Sequence, residues 1–347
     1  MDVRAAQALW DAEPGWLNTA SYGLPPRPAW QALQAALADW RTGHTSWEGW
    51  DESTARSRAA FARLVGVPPE DVSVGTNVSQ MLAPVAAALP DGAHVVIPDI
   101  EFTSNVFPWA VHAHRGVTLR PVPVADLADA VDSDTDVVAF SLVQSADGTV
   151  ADYSAVVAAA RAHGALVVVD ATQACGWLPF DASLADVVTA TAYKWLMSPR
   201  GSGFAYLSPS LRDRLVPLSA GWYAAEDVDD SYYGPRLRLA QSARRFDLSP
   251  AWFSFVGTAP ALELVERIGV AAIRDHNVAL ANRFLTGLGL PPGNSAIVTV
   301  DVPQAEQRLA AAGIRAAVRV GRVRASFHVY TTQQDVDRAL DALTSRR

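Results

Sequence analysis

Short apolar runs alternate with amphipathic stretches from about Ala29 to Leu207. Each apolar run ends in a polar or glycine-rich turn, which is the pattern of a strand in an α/β protein. The predicted strands are Val72–Val74, His94–Ile97, Val137–Leu142, Leu166–Asp170, Val187–Thr191 and Gly203–Leu207. Between them, Ala151–His163 has apolar residues at helical spacing and is followed by Gly164, a C-capping residue. Because runs such as LVVV are apolar at every position, we predict an α/β fold with a mostly parallel sheet covered on both faces.

A different order of elements begins between Gly257 and Gly269. Its helical and alternating patterns predict a small α+β domain. The predicted elements are one long helix through Glu263 and His276, a strand in SAIVTVDVP, a helix through Ala311, strands in GIRAAVRV and VRASF, and a closing helix from Gln333. The aromatic stretch Ala220–Phe255 fits neither pattern, and we interpret it as a connecting region, a lid or a dimer contact.

These patterns divide the chain into three predicted parts. They are an N-terminal segment of residues 1–25, a large domain of residues 26–257 and a small C-terminal domain of residues 258–347. The length of 347 residues suits one large domain with a smaller one beside it.

Composition and charge exclude several classes of protein. Half of the residues are hydrophobic and 18% are charged, which is typical of a compact globular protein. A net charge of −8 without a basic stripe argues against a nucleic-acid partner. With no secretory signal pattern and no apolar run long enough for a bilayer, we predict a cytoplasmic protein. The single cysteine, Cys175, excludes an internal disulfide and cannot by itself form a structural zinc site, and no metal is predicted.

Asp170 ends a strand in the motif VVVDATQACG. Ligands of open α/β sheets bind at the carboxyl ends of the strands, and a carboxylate buried there needs a positive partner. An aspartate after a strand is equally typical of a cap on the next helix. Taken alone, the motif leaves both interpretations open.

Lys194 follows another apolar strand in DVVTATAYKWLMSPRGSG, twenty-four residues after Asp170 (194 − 170). A lysine among apolar neighbours has a lowered pKa, and a neutral amine is what Schiff-base chemistry requires. The alternative is a surface lysine whose stem lies along apolar neighbours. Very few lysines occur in this chain, and this one stands between Tyr193 and Trp195, which favours a functional role.

A third motif, SVGTNVSQMLAPVAAAL, predicts a strand, a turn and a helix. Backbone N–H groups at a helix N-terminus bind anions, so Gly75, Thr76 and Asn77 are candidates for a phosphate site. The same pattern also occurs in ordinary helix capping. The sequence contains neither of the glycine motifs G-x-x-x-x-G-K-[ST] and G-x-G-x-x-G, which disfavours a nucleotide-binding protein.

The ordered set GTN, EFTSN, DATQACG, TATAYKW and VRASFHVYTTQQDVDRAL resembles the class V aminotransferase family of fold-type I enzymes. These enzymes use pyridoxal 5'-phosphate (PLP). The family includes cysteine desulfurases, serine/alanine-glyoxylate-type transaminases, kynureninases and an ergothioneine-type C–S lyase branch. The resemblance extends from about Leu17 to Leu343. It implies a fold-type I large domain, a small C-terminal domain and a homodimer.

The resemblance also implies cofactor contacts. Lys194 would hold PLP as a Schiff base and move the proton at Cα of an amino-acid substrate, and Asp170 would pair with the pyridine nitrogen. The other implied ligands are Gln173 and Ser145 beside the ring oxygen O3', with Gln144 as the alternative to Ser145, Phe102 on the face of the ring, and Thr76, Asn77, Thr191 and Tyr193 at the phosphate.

On the substrate side, the resemblance places Arg324 at the α-carboxylate, a task that suits the forked geometry of a guanidinium. The alternative for Arg324 is a surface charge on an edge strand. The N-terminal motif LNTASYGLPP resembles a substrate-side loop of the family, with Asn18, Ala20 and Tyr22 facing the substrate, although GLPP is also a typical turn.

One departure from the family pattern reduces the number of reactions to consider. Cysteine desulfurases carry a catalytic cysteine shortly before the arginine, and GIRAAVRVGRVRAS has none. We therefore expect no persulfide chemistry and interpret Cys175 as a small packed residue. The hypotheses that remain are an aminotransferase, a C–S lyase that eliminates from a cysteine-type conjugate, and a catalytically inactive PLP-fold protein with a binding or regulatory role. At the family's dimer interface, Ser249 and Thr258 are the candidates for a residue that reaches the partner's site.

Overall fold

The computed structural model describes residues 1–345, and ten strands in this range form two sheets. The strands are β1 Val72–Gly75, β2 His94–Pro98, β3 Thr118–Val122, β4 Val137–Ser141, β5 Leu166–Asp170, β6 Val187–Thr191, β7 Gly203–Leu207, β8 Ile297–Val300, β9 Ala317–Arg319 and β10 Arg322–Ser326. All six strands predicted in the first two-thirds of the chain are present. The remaining strand of that region, β3, was missed because it lies at the sheet edge and buries none of its residues.

The larger sheet has seven strands in the order β1-β7-β6-β5-β4-β2-β3. Strands β2 to β6 are parallel, whereas β7 runs antiparallel to both of its neighbours. Every residue of β4, β6 and β7 is buried, as expected for strands covered on both faces. The prediction of an α/β fold with a mostly parallel sheet is confirmed.

Twelve α-helices surround the sheets in the described part of the chain. They are α1 Val3–Gln7, α2 Arg27–Thr42, α3 Trp47–Val65, α4 Val78–Ala87, α5 Phe107–Ala110, α6 Leu127–Ala130, α7 Tyr153–His163, α8 Pro209–Arg212, α9 Trp252–Ile268, α10 Val270–Gly287, α11 Ala305–Ala311 and α12 Gln333–Thr344. Helix α7 begins two residues later than predicted because Asp152 caps it, and Gly164 ends it in the left-handed conformation, as predicted. Within residues 1–345, none of the helices has both the length and the apolar character needed to span a bilayer.

The second sheet, in the order β8-β10-β9, packs with α10, α11 and α12. The single long helix predicted through Glu263 and His276 is wrong. Gly269, with φ of +93°, separates α9 from α10, because this backbone conformation is closed to a continuing helix. The proposed limit between residues 257 and 258 lies inside α9, and the division into domains stays a prediction.

An ion pair buried beneath the large sheet joins distant parts of the chain. The Arg58 guanidinium of α3 donates to Asp247 Oδ2 at 2.5 Å and to the carbonyl oxygen of Val72 at 2.5 Å. Asp247 Oδ1 also accepts the Val74 N–H at 2.8 Å. Because both charges are buried and paired, the ion pair fixes the segment before α9 against β1.

Residues 220–251 contain three short 3₁₀ helices and an isolated bridge between Ala225 and Leu239, and Ala220–Phe255 packs through its aromatic side chains. The Trp222 ring lies 5.5 Å from that of Trp47 and 6.4 Å from that of Trp252, and Trp47 stacks on Trp252 at 5.6 Å. These contacts attach the segment to the N-terminal ends of α3 and α9. They support a packing role for the tryptophans.

Candidate active site

Three parallel strands end at one edge of the large sheet. Ser141 of β4 pairs with Asp170 of β5, and Thr189 of β6 pairs with Asp170 on its other side. The loops that leave these strands therefore start side by side, as in other open α/β sheets. Lys194 lies in the turn that follows Thr191, at this same edge.

Lys194 is the single lysine of the chain, and its side chain is buried, with 7% exposed. Its Nζ lies 5.4 Å from the centroid of the Phe102 ring and 5.7 Å from that of Tyr193. Burial lowers the pKa of Lys194 to about 8, an effect that Asp170 opposes and that Arg324 strengthens. A much larger fraction of this amine is neutral at neutral pH than of a surface lysine. The alternative of a surface lysine is wrong.

The backbone at Lys194 is held by the N-terminal loop. The Gly23 N–H donates to the Tyr193 carbonyl oxygen at 2.9 Å. A Cβ on Gly23 would overlap the Lys194 carbonyl oxygen, so this position accepts only glycine without movement of the lysine turn. The turn in GLPP therefore also supports the lysine.

Asp170 is buried and precedes turns rather than a helix, so the helix-cap interpretation is wrong here. The Thr172 N–H donates to Asp170 Oδ1 at 2.8 Å. Burial raises the pKa of Asp170, and the hydrogen bonds from Thr172 and the charge of Lys194 oppose that increase. A cation brought to this carboxylate would stabilise its charged form.

Gln173 is the centre of a buried network. Its Nε2 donates to Ser145 Oγ at 3.1 Å and to the Ala20 carbonyl oxygen at 3.0 Å, while its Oε1 accepts from Trp195 Nε1 at 2.7 Å. Ser145 thus lies beside Gln173, whereas the amide of Gln144 donates elsewhere. The structure therefore brings Ser145, and not its alternative, next to Gln173.

Arg324 projects from β10 into the same network and has 1% of its surface exposed. Its Nη1 donates to the carbonyl oxygen of Ser145 and to Ser145 Oγ at 3.0 Å, and its Nη2 donates to Ser21 Oγ at 2.9 Å. Its Nε is buried without a partner among the described residues. Burial lowers the pKa of Arg324 to about 10, which leaves it charged at neutral pH. Arg324 is thus a buried cation with a spare donor, and the surface-charge alternative is wrong.

The turn before α4 lies at the same edge through strand pairing. Gly75 pairs with Gly203, and Gly203 pairs with Thr191. Asn77 caps α4, since its Oδ1 accepts the Gln80 N–H at 3.0 Å, and its Nδ2 donates to Thr76 Oγ1 at 3.0 Å. A Cβ on Gly75 would lie 2.5 Å from Gln80 Oε1, so the turn is closely packed.

The N-terminal loop contributes a residue that sequence reasoning did not name. Ser21 receives the hydrogen bond from Arg324, whereas the ring of Tyr22 lies 5.4 Å from the ring of Tyr193 and is 41% exposed. Asn18 forms a bridge with Ser326 of β10, and its Oδ1 is buried without a partner in the described part of the chain. The sequence offered one sign of its importance, since Ser21 lies between the candidate positions Ala20 and Tyr22.

Glu101 was also missed. This buried carboxylate accepts the N–H of Ser141 at 2.6 Å and the N–H of Phe102 at 2.8 Å, and it also accepts from the Ser141 hydroxyl and from Gln144 Nε2. Burial raises the pKa of Glu101 to about 7, against the effect of the Ser141 hydrogen bonds. Glu101 fastens the loop that carries Phe102 to the end of β4. The position of Glu101 directly before the candidate Phe102 could have pointed to it in the sequence.

Cys175, Thr258 and Ser249, which were singled out in the sequence, differ in how far they are buried. Cys175 is buried, and burial raises the pKa of its thiol to about 12, as expected of a packed residue. Thr258 is buried and its Oγ1 lies 2.8 Å from Ser202 Oγ, whereas Ser249 is exposed. Of the two candidates for an interface residue, Ser249 is the accessible one.

The chain as a whole is similar to known proteins. The family model described as aminotransferase class V matches residues 34–311. An uncharacterized aminotransferase of Bacillus subtilis, YcbU, is 29% identical over 95% of this chain and 94% of its own length. Isopenicillin N epimerase of Streptomyces clavuligerus is 28% identical over 94% of each chain. The solved structure of the cystine C–S lyase C-DES superposes with a TM-score of 0.85 at 23% identity, covering 96% of this chain and 97% of the other.

Proposed function

The chain belongs to the class V aminotransferase family and is a PLP-dependent enzyme, and we propose that it is an aminotransferase that removes the α-proton of an amino acid. One observation carries the proposal that an α-proton is removed. A buried amine with a lowered pKa, a buried carboxylate and a buried guanidinium with a spare donor, which are Lys194, Asp170 and Arg324, lie at one edge of the sheet.

The residues at this edge fit PLP. Bound PLP supplies an electron-accepting ring in conjugation with Cα of the amino acid. We propose that Asp170 holds the protonated ring nitrogen, a cation that would offset the cost of burying this carboxylate. The Phe102 ring, whose centroid lies 5.4 Å from Lys194 Nζ, would cover the face of the cofactor ring.

The remaining cofactor contacts are proposed from the same arrangement. Gln173 and Ser145 would lie beside O3', since they hydrogen bond to each other next to Arg324. The N-terminus of α4 would receive the phosphate, because its backbone N–H groups favour an anion. The side chains proposed at the phosphate are Thr76, Asn77, Thr191 and Tyr193.

Lys194 has the proposed catalytic task. Its neutral Nζ would accept the proton from Cα and, for transamination, deliver it to C4', the former aldehyde carbon of the cofactor, which is general acid–base catalysis. A pKa of about 8 suits both directions of transfer near neutral pH. Arg324 would fix the α-carboxylate through Nε and Nη2, and Asn18 and Tyr22 would line the substrate side.

The test uses the fact that the chain has one lysine. Borohydride reduction of the PLP-loaded protein should attach the cofactor irreversibly to the peptide that contains Lys194, detected by mass spectrometry. The Lys194→Ala variant should lose turnover by several orders of magnitude while keeping weak PLP binding. A protein that takes up no PLP and shows no turnover would refute the proposal and favour the binding or regulatory protein. Full turnover without Lys194 would refute the catalytic role of this lysine.

A C–S lyase is the second candidate, supported by the fold shared with the cystine C–S lyase C-DES. Both reactions begin with proton removal by Lys194 and differ in whether a group then leaves Cβ. Transamination requires an added keto acid as acceptor and releases no ammonia. Elimination from an S-substituted cysteine releases the thiol, pyruvate and ammonia without an acceptor. Desulfuration through a protein thiol is disfavoured, because Cys175 is buried with a raised pKa.

We also propose a homodimer. Three exposed apolar side chains near α4 and α5, Phe107, Val111 and Leu218, have between 56% and 65% of their surface exposed. Apolar surface of this kind is typical of a subunit interface. Light scattering of the PLP-loaded protein should give twice the mass of 37.0 kDa, and a Phe107→Glu variant should shift it toward the monomer.

A further inference from the structure

The hairpin of β9 and β10 presents three arginines on one face. Arg319 pairs with Arg322, and Ala317 pairs with Arg324 in the antiparallel register. Directly opposed residues of an antiparallel pair share a face, and so do residues two apart on one strand. Arg319, Arg322 and Arg324 therefore form one row that runs from the hairpin turn into the active site.

Arg319 and Arg324 both lie close to the hydroxyl of Ser21. Arg324 Nη2 lies 2.9 Å and Arg319 Nη2 lies 3.4 Å from Ser21 Oγ. Within residues 1–345, none of the three arginines forms an ion pair with an acidic side chain. Like charges that face each other across a hairpin are destabilising, so this row lacks the anion that would offset the repulsion.

One carboxylate does not account for this row. Arg324 Nη1 is already used by Ser145 and one hydrogen of Nη2 by Ser21, which leaves the Nε hydrogen and the second Nη2 hydrogen for a single carboxylate. Arg319 is then surplus to binding an α-carboxylate. Its charge nevertheless reaches the reaction centre, since it helps to lower the pKa values of both Lys194 and Arg324.

We propose that the substrate is an amino acid whose side chain ends in a second anionic group, which Arg319 binds while Arg324 binds the α-carboxylate. The proposal rests on the amino-acid chemistry proposed above and adds the class of substrate. Arg322, next in the row and exposed, adds a further positive charge to the field around the row. Acidic amino acids and S-conjugates of cysteine that carry a carboxylate belong to this class.

Equilibrium binding tests the proposal without turnover. Isothermal titration of the PLP-loaded enzyme compares the dicarboxylates succinate, glutarate and adipate with the monocarboxylates butyrate, pentanoate and hexanoate. We expect the best dicarboxylate to bind about tenfold more tightly than a monocarboxylate of the same length, the size typical of one charge-assisted contact. Arg319→Gln should reduce this preference to nearly onefold.

The matched control is Arg338→Gln. Arg338 is an exposed arginine of α12 whose Nη2 donates to the Ala312 carbonyl oxygen at 3.0 Å, so its loss changes the net charge equally without touching the row. This variant should keep the dicarboxylate preference. Equal affinities for the two series in the parent enzyme, or an equal loss for both series in Arg319→Gln, would overturn the proposal.

Turnover separates this inference from the proposed function. The ratio of kcat/KM for glutamate over glutamine, and for aspartate over asparagine, should exceed ten for at least one pair and fall about tenfold in Arg319→Gln. Turnover of amino acids without any acidic preference would refute the substrate class and leave the aminotransferase proposal standing. Arg319-dependent dicarboxylate binding without turnover of any amino acid would refute the aminotransferase proposal and leave the binding of a second anionic group by Arg319 standing.

Discussion

Replacing Lys194 by Met should make the PLP-free protein more stable at neutral pH. Burial lowers the pKa of Lys194 from 10.5 to about 8, which means that the folded state disfavours the protonated amine. At about 1.4 kcal/mol for each factor of ten, this difference destabilises the fold by about 3 kcal/mol. Met is similar in length and carries no charge, so Lys194→Met removes the cost. Active sites commonly hold such unfavourable groups.

The pH dependence identifies the cause. Below pH 8 the amine is protonated in both states and the full cost is present, whereas above 10.5 it is neutral in both and the cost disappears. Between these values stability of the parent rises with pH, since the unfolded state binds more protons than the folded one. The advantage of Lys194→Met should therefore fall from about 3 kcal/mol at pH 7 to about 1.5 kcal/mol at pH 9.5.

Urea unfolding of the PLP-free parent and variant at pH 7 and pH 9.5, followed by tryptophan fluorescence, measures both values. Arg338→Met is the control for the loss of a cation on the surface and should show no such pH dependence. Packing of the uncharged Met side chain changes the free energy of unfolding by the same amount at both pH values. A stability difference that is equal at pH 7 and pH 9.5 would refute the lowered pKa of Lys194.

Three further substitutions test the support of the site. Arg58→Ala should destabilise the fold by about 3–5 kcal/mol in urea unfolding, because it leaves Asp247 buried without its cation. Gly23→Ala should lower the Tm and weaken PLP binding, since its Cβ overlaps the Lys194 carbonyl oxygen, whereas Gly49→Ala, with open space around its Cα, should be neutral or stabilising in the same thermal melt. Glu101→Gln should cost about 1–3 kcal/mol in thermal unfolding, because both carboxylate oxygens accept from donors and one side of an amide cannot; an unchanged Tm would contradict these hydrogen bonds.

The elements that the sequence predicted well are those whose pattern is local. The strands from Val137 to Leu207 are mostly apolar runs, and such runs indicate burial on both faces whatever lies around them. The elements it predicted badly depend on their surroundings. Strand β3 is an edge strand with little buried surface, and the break at Gly269 requires a backbone angle that a helical pattern of side chains does not reveal.

Some residues of the candidate site could likewise be predicted from the sequence, and others could not. Lys194 and Asp170 were recognisable because each follows or ends an apolar strand within a motif, and Arg324 was recognisable because its motif resembles that of a known family. Their burial is seen in the structure, and their roles stay predictions. Glu101 and Ser21 were missed because their importance lies in the groups that surround them.

By itself, then, the sequence determined the fold class, the family and the cofactor, since these depend on apolar periodicity and on motifs read along the chain. Only the tertiary structure decided which side chains meet. Ser21 and Arg324 are 303 residues apart in sequence and 2.9 Å apart in space. It also decided which groups are left without a partner, such as Arg324 Nε and the row of arginines behind it. The physical reason is that burial, pairing and pKa values are properties of packed neighbours, and packing joins residues that no local pattern connects.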